Sequence, residues 1–181
     1  MIVARLIAAL AVAGVLATAA PAAAAPPDPH PDRQAGARAA ALAGGPVIRS
    51  LDPDAAGKCL DAYNWGIGPW AQMSTCHGGA NQQWTLFRYG DGTYDLFYAY
   101  QGTVKCLDGV AGRGQQATVW PCDGTLGQRF RKRGTTELEM VLENVRYPGQ
   151  CLDVSNWGRD AAVILWDCHL GANQVWSRTT L

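Results

Sequence analysis

The sequence predicts an all-β domain of three lobes closed into a barrel, and three observations carry that expectation. A cysteine-bearing segment occurs three times, short strand-like segments separate the copies, and the first and last copies are the most complete. Residues 58–84 read KCLDAYNWGIGPWAQMSTCHGGANQQW, 105–130 read KCLDGVAGRGQQATVWPCDGTLGQRF, and 150–176 read QCLDVSNWGRDAAVILWDCHLGANQVW. Each opens on Cys-Leu-Asp, and successive copies are offset by 45 to 47 residues. Each second cysteine is followed eight positions later by an aromatic residue, Trp84, Phe130 or Trp176.

The intervening stretches 84–87, 94–100 and 138–145 are short, rich in aromatic and aliphatic residues, and bounded by Gly, Asp or Asn, as strands are. No amphipathic helix is expected after residue 46. Repeats of this length often stack as open solenoids, whose terminal copies are altered to cap an exposed core. Here the outer copies are intact, which favours closure into a ring in which Trp84, Phe130 and Trp176 meet as core and sheet edges disappear. Six cysteines allow 15 pairings. An element repeated three times is expected to make the same local bond each time, giving Cys59–Cys76, Cys106–Cys122 and Cys151–Cys168. Each such loop contributes about 3 kcal/mol in the chain-entropy description.

The 181 residues leave room for one ordinary domain and some additional sequence. Lys plus Arg and Asp plus Glu balance at 15 each, and no basic run stands out, so neither a nucleic-acid nor an anionic-membrane partner is expected. The first 45 residues contain neither Cys nor Trp. Arg5, the apolar stretch 6–16 and the small residues 22–24 form a secretory signal pattern over 1–24, with cleavage expected after Ala24. Residues 25–45 are Pro-, Ala- and Gly-rich and are expected to be a flexible leader, with a short helix over 34–42 as an alternative. The folded unit is expected over 46–181, in an exported protein where disulfides persist.

The Cys-Leu-Asp start, the disulfide within each repeat and the Gln-x-Trp ending resemble the ricin-type lectins, and the xylan- and galactose-binding modules attached to secreted bacterial glycanases. The resemblance covers the chain from about residue 46 to its end. It implies a β-trefoil of twelve short strands, one shallow sugar site per lobe, and recognition of galactose- or xylose-type glycans or polysaccharide without catalysis. It implies no cofactor or metal, and a monomer is assumed.

The residue chemistry points the same way. A pyranose offers vicinal hydroxyls on its edge and C–H groups on its face. An ionised Asp accepts from the hydroxyls, Asn both donates and accepts, and an aromatic ring stacks on the face. In the third repeat the resemblance assigns Asp153, Ile164, Trp166, His169, Asn173 and Gln174 to the sugar, which makes this the fullest site. The first repeat keeps Asp61, His77, Asn81 and Gln82 but has Ser74 at the stacking position, with Trp65 and Trp70 as neighbouring rings able to replace it. The second keeps Asp108 and Trp120, has Gly127 in place of Asn and Asp123 in place of His, and is expected to be architectural.

Plainer roles stand beside these. The three repeated aromatics suit core better than ligand platforms, the three Asp residues suit turns, and the three Gln residues suit internal hydrogen bonds. Trp65 and Trp157, each in an Asn-Trp-Gly loop, suit either sugar contacts or lids on their lobes. A glycosidase requires two carboxylates facing one substrate, whereas the repeated Asp residues belong to separate lobes, and no nucleophile elbow, metal-binding helix or phosphate loop is found. A zinc site at Cys76-His77 and Cys168-His169 would need a reducing compartment and clustered ligands. The alternative of another class is a trefoil that binds protein, as an inhibitor or a toxin-like accessory factor.

Overall fold

A computed structural model describes residues 45–63, 70–134, 136, 139–155 and 162–181. The signal and leader expectations, and the loops holding Trp65 and Trp157, lie outside the described residues. Among the described residues there are twelve strands: β1 (Val47–Ser50), β2 (Lys58–Ala62), β3 (Ala71–Thr75), β4 (Thr85–Arg88), β5 (Thr93–Tyr100), β6 (Thr103–Asp108), β7 (Thr118–Pro121), β8 (Phe130–Arg133), β9 (Glu139–Asn144), β10 (Gln150–Val154), β11 (Val163–Asp167) and β12 (Trp176–Thr179). The three strand-like stretches read from the sequence correspond to β4, β5 and β9. Helical structure among the described residues consists of single 3-10 turns such as Ala80–Gln82, Leu126–Gln128 and Ala172–Gln174.

Six strands form a barrel by antiparallel pairing in the order β1, β12, β9, β8, β5, β4. The Trp84 N–H donates to the Pro46 carbonyl at 3.0 Å and links the two ends of that order. Trp84, Phe130 and Trp176 are fully buried, as equivalent plugs should be. The two indoles also satisfy their polar edges, since Trp84 Nε1 donates to Leu60 O at 2.9 Å and Trp176 Nε1 to Leu152 O at 3.0 Å. Phe130 has no such donor and fills the same place in the second lobe.

The other six strands make three hairpins, β2–β3, β6–β7 and β10–β11, that cap one end of the barrel. In each hairpin alternate residues enter the core: Leu60, Ala62, Ala71 and Met73 in the first, Leu152, Val154, Val163 and Leu165 in the third. Three antiparallel isolated bridges join the hairpins, Trp70 with Thr118, Gln116 with Ile164, and Ala162 with Gln72, beside a parallel one between Arg113 and Leu165. Position for position the pattern is the same in all three, so each repeat touches the next and the third returns to the first. This is a β-trefoil. The three disulfides pair as the repeat required, with Cα–Cα distances of 5.1, 5.0 and 5.0 Å.

Candidate functional site

Because side chains alternate along a strand, the Asp of each Cys-Leu-Asp motif lies on the outer face of its hairpin while the neighbouring Leu enters the core. In the third lobe Asp153 stands opposite Ile164, and Cys151 opposite Trp166, so Asp153, Ile164 and Trp166 share one face. The turn at Ala172–Gln174 then brings Asn173 and Gln174 up to the carboxylate. Asn173 Nδ2 donates to Asp153 Oδ1 at 2.9 Å and Gln174 Nε2 donates to Oδ2 at 2.8 Å. His169 Nε2 stands 3.2 Å from Oδ2. The first lobe reproduces the cluster: Asn81 and Gln82 donate to Asp61 Oδ2 at 3.0 and 2.8 Å, with His77 Nε2 at 3.4 Å.

The histidines owe their orientation to a glycine. Gly171 N–H donates to His169 Nδ1 at 3.1 Å, and Gly79 N–H to His77 Nδ1 at 3.0 Å. With Nδ1 accepting, the ring proton of the neutral imidazole is assigned to Nε2, facing the carboxylate. A Cβ at 171 would lie 2.9 Å from both His169 Cε1 and Nδ1 and 3.0 Å from Asn173 Oδ1. Gly171→Ala is therefore expected to push the imidazole off Asp153 while leaving the fold intact. Calorimetry should find weaker sugar binding with an unchanged unfolding midpoint.

Gln82 and Gln174 are completely buried and use every hydrogen-bonding position internally. Gln174 Oε1 accepts from the N–H groups of His169 and Leu170 at 2.9 and 3.1 Å, while Nε2 bonds Asp153 and the Asp167 carbonyl. Gln82 does the same with His77, Gly78, Asp61 and Thr75. This corrects the expectation that these two side chains touch sugar, because they have no capacity left; they position the Asp. The Oδ1 atoms of Asn81 and Asn173, by contrast, are buried without a hydrogen-bond donor among the described residues.

Two further placements correct or extend the sequence reading. Trp70 does not replace the missing ring at Ser74: four residues of strand, about 13 Å, separate them, and Trp70 instead pairs with Thr118 of the second lobe. In the third lobe the Arg113 guanidinium lies over the Trp166 ring, 4.1 Å from its centroid, and Arg113 Nε donates to Asp167 Oδ1 at 2.9 Å. Trp166 is thus packed on one side by a loop of the preceding repeat, and it remains 37% exposed for stacking. Gln72, directly opposite Asp61, is a further carboxamide on the first lobe's face. It occupies the place of Ile164, so aligning the repeats would have found it; Arg113 left no comparable signal.

The second lobe differs. Gln128 Nε2 reaches Asp108 Oδ2 at 3.3 Å, and no Asn is present. A Cβ on Gly127 would lie 2.6 Å from Asp108 Oδ1, so this carboxylate occupies space that a larger residue at 127 would need. Asp123 replaces the histidine's turn bond by accepting from Thr125 N–H at 3.0 Å.

Burial pushes the Asp153 carboxyl above its ordinary value of 3.8, outweighing the opposing hydrogen bond from Gln174 and the influence of His169. The folded state therefore holds this proton more tightly than the unfolded chain. Its stabilising contribution is full below the unfolded value and is lost as pH rises through the folded one. Binding runs the other way, because the hydroxyls need the carboxylate. Affinity at the third lobe is expected to fall on acidification with a midpoint above 3.8, measurable by titrating calorimetric binding downward from neutral pH.

Comparison with known proteins agrees with this geometry. Two family models, the ricin-type beta-trefoil lectin domain over residues 97–180 and the ricin-type beta-trefoil lectin domain-like family over 48–112, together span the barrel and its caps. The chain belongs to the ricin-type β-trefoil lectin family. Among solved structures, this lectin domain resembles the designed threefold-symmetric protein ThreeFoil, at 29% identity and TM-score 0.65, over 76% of this chain and 99% of that one. The C-half of an earthworm R-type lectin, solved with GalNAc, matches at 17% identity and TM-score 0.54, over 75% and 98% of the two chains. An exo-beta-1,3-galactanase from Clostridium thermocellum matches at 18% identity and TM-score 0.62 over 75% of this chain, but only 30% of the galactanase. A comparison with curated proteins found no match. The family and its lectin neighbours support carbohydrate binding by this domain.

Proposed function

We propose that the protein is an exported, non-catalytic lectin that binds galactose- or xylose-type units of a glycan or polysaccharide, chiefly through the third lobe. The supporting observation is Asp153, fixed from behind by Asn173, Gln174 and His169 on the same hairpin face as a half-exposed Trp166. A carboxylate offers about four acceptor positions. Three are engaged internally, which leaves a directed position on Oδ1 for a sugar hydroxyl. The ring provides stacking for the C–H face.

The first lobe carries the same polar cluster without a ring at Ser74 and acts as a weaker second site. A single shallow site binds near the millimolar range, corresponding to about 4 kcal/mol. Two sites on one rigid body gain avidity on a polymer, which favours polysaccharide over free sugar. The signal pattern over residues 1–24 supports export. The test is a glycan array probed with the purified protein: retention on galactose- or xylose-bearing glycans is expected. Absence of retention on all of them, or release of reducing sugar from xylan or galactan, would overturn the proposal.

A further inference from the structure

We infer that Arg113, in a loop of the second repeat, is a positioning residue of the third-lobe site: it holds the Trp166 ring in the orientation that receives the sugar. The inference rests on the function proposed above and assigns part of that site to a repeat other than its own.

The loop lies against the third hairpin as a short additional strand. Gly114 N–H donates to Leu165 O at 2.7 Å, Leu165 N–H donates to Gln115 O at 3.2 Å, and Arg113 forms a parallel bridge with Leu165. Gly114 takes φ +75°, and a Cβ there would lie 3.4 Å from Trp166 Cζ3, so the loop backbone passes along the six-membered ring. From this anchored backbone the Arg113 guanidinium reaches over the ring, 4.1 Å from its centroid, within the range of a cation–π contact. Its Nε is fixed in turn by Asp167 Oδ1 at 2.9 Å. β11 pairs with β10 along one edge and with the loop along the other. Arg113 therefore approaches Trp166 from the side away from Asp153, and the opposite ring face is turned towards the Asp153 strand. An exposed indole free to change rotamer would have to be ordered when a sugar binds, and a ring already held avoids that cost. Arg113 and Asp167 are both more than half exposed, so their pairing adds little to the stability of the fold. Orientation is what it supplies.

The three junctions between repeats differ in the same sense. The bridges place Trp70, Gln116 and Ala162 equivalently, and three residues before them stand Ile67, Arg113 and Arg159. The hairpins they lead into have Trp120, Trp166 and Ser74 at the stacking position, followed by Pro121, Asp167 and Thr75. Cation, ring and carboxylate thus coincide at one junction of the three, the one leading into the lobe with the full Asp153 cluster. A contact needed to close the trefoil would recur at every junction. A contact that serves the ligand is needed only where a stacking ring stands beside a complete polar cluster.

The test compares the full chain with its Arg113→Ala and Arg113→Lys variants by residue-resolved NMR, with galactose and xylose as probes. Relaxation of the Trp166 indole N–H is expected to show a rigid ring in the unmodified protein and a mobile one in Arg113→Ala. Affinity for the sugar, read from shifts around Asn173, should fall roughly three- to tenfold in that variant, while shifts around Asn81 in the first lobe titrate as before. Lysine keeps the charge without the planar fork, so Arg113→Lys should also leave the ring mobile and the affinity reduced. Unchanged thermal midpoints are expected to separate these effects from loss of the fold. The inference is overturned if the Trp166 ring stays rigid in Arg113→Ala, or if it loosens and third-lobe affinity is unaltered. If neither sugar shifts any resonance of the unmodified protein, the function proposed above fails, and the indole relaxation alone decides whether Arg113 holds the ring.

Discussion

Asp153→Asn is expected to weaken sugar binding at the third lobe by roughly 10- to 100-fold, the equivalent of losing one charge-assisted hydrogen bond of about 1.5–3 kcal/mol. The reason is directional as well as electrostatic. An amide at 153 presents a donor where the carboxylate accepted, and Asn173 Nδ2 and Gln174 Nε2 already point donors at that position. One of the two oxygens is lost in any orientation of the new amide. The measurement is best made with Asp61→Asn also in place, so that the first lobe does not mask the loss. Unaltered affinity in that background would show that the carboxylate does not contact the ligand.

The largest effect on stability is expected from Trp176→Ala, at about 3–5 kcal/mol, the range for truncating a buried aromatic in a core. Trp176 is fully buried at the barrel interior, and its removal also leaves the Leu152 carbonyl without the indole donor. Trp176→Phe separates the two contributions. Phe130 holds the equivalent position in the second lobe without any such hydrogen bond, so the ring alone is an acceptable plug, and this variant should lose only about 1–3 kcal/mol. Chemical denaturation with disulfides intact measures both. An alanine variant no less stable than the phenylalanine one would mean that the three plugs do not share the core as described.

What was legible in the sequence is what a single repeat contains. The Cys-Leu-Asp start, the second cysteine and the Asn-Gln pair lie within about 20 residues of one another in each outer repeat, and one hairpin with its following turn brings them together. The disulfide pairing and the clusters around Asp61 and Asp153 followed from that. The choice between sugar contact and internal hydrogen bonding for Gln82 and Gln174 did not, because a side chain behind a carboxylate and one in front of it have the same spacing. Contacts between lobes were also hidden. Trp70 beside Thr118, and Arg113 over Trp166, depend on how far each hairpin is displaced relative to the next when the ring closes, and no spacing within a repeat encodes that displacement.

The cyclic offset of the three bridges has a consequence for how such a protein can arise. Each hairpin face is finished by a residue from a neighbouring copy, Trp70 for the second lobe, Gln116 for the third and Ala162 for the first. One repeat alone therefore carries most of a site and never a whole face. A primitive single-copy ancestor could have had a finished recognition surface only as a trimer of identical chains, in which head-to-tail contacts close after three. Fusion into one chain then freed each junction to change separately.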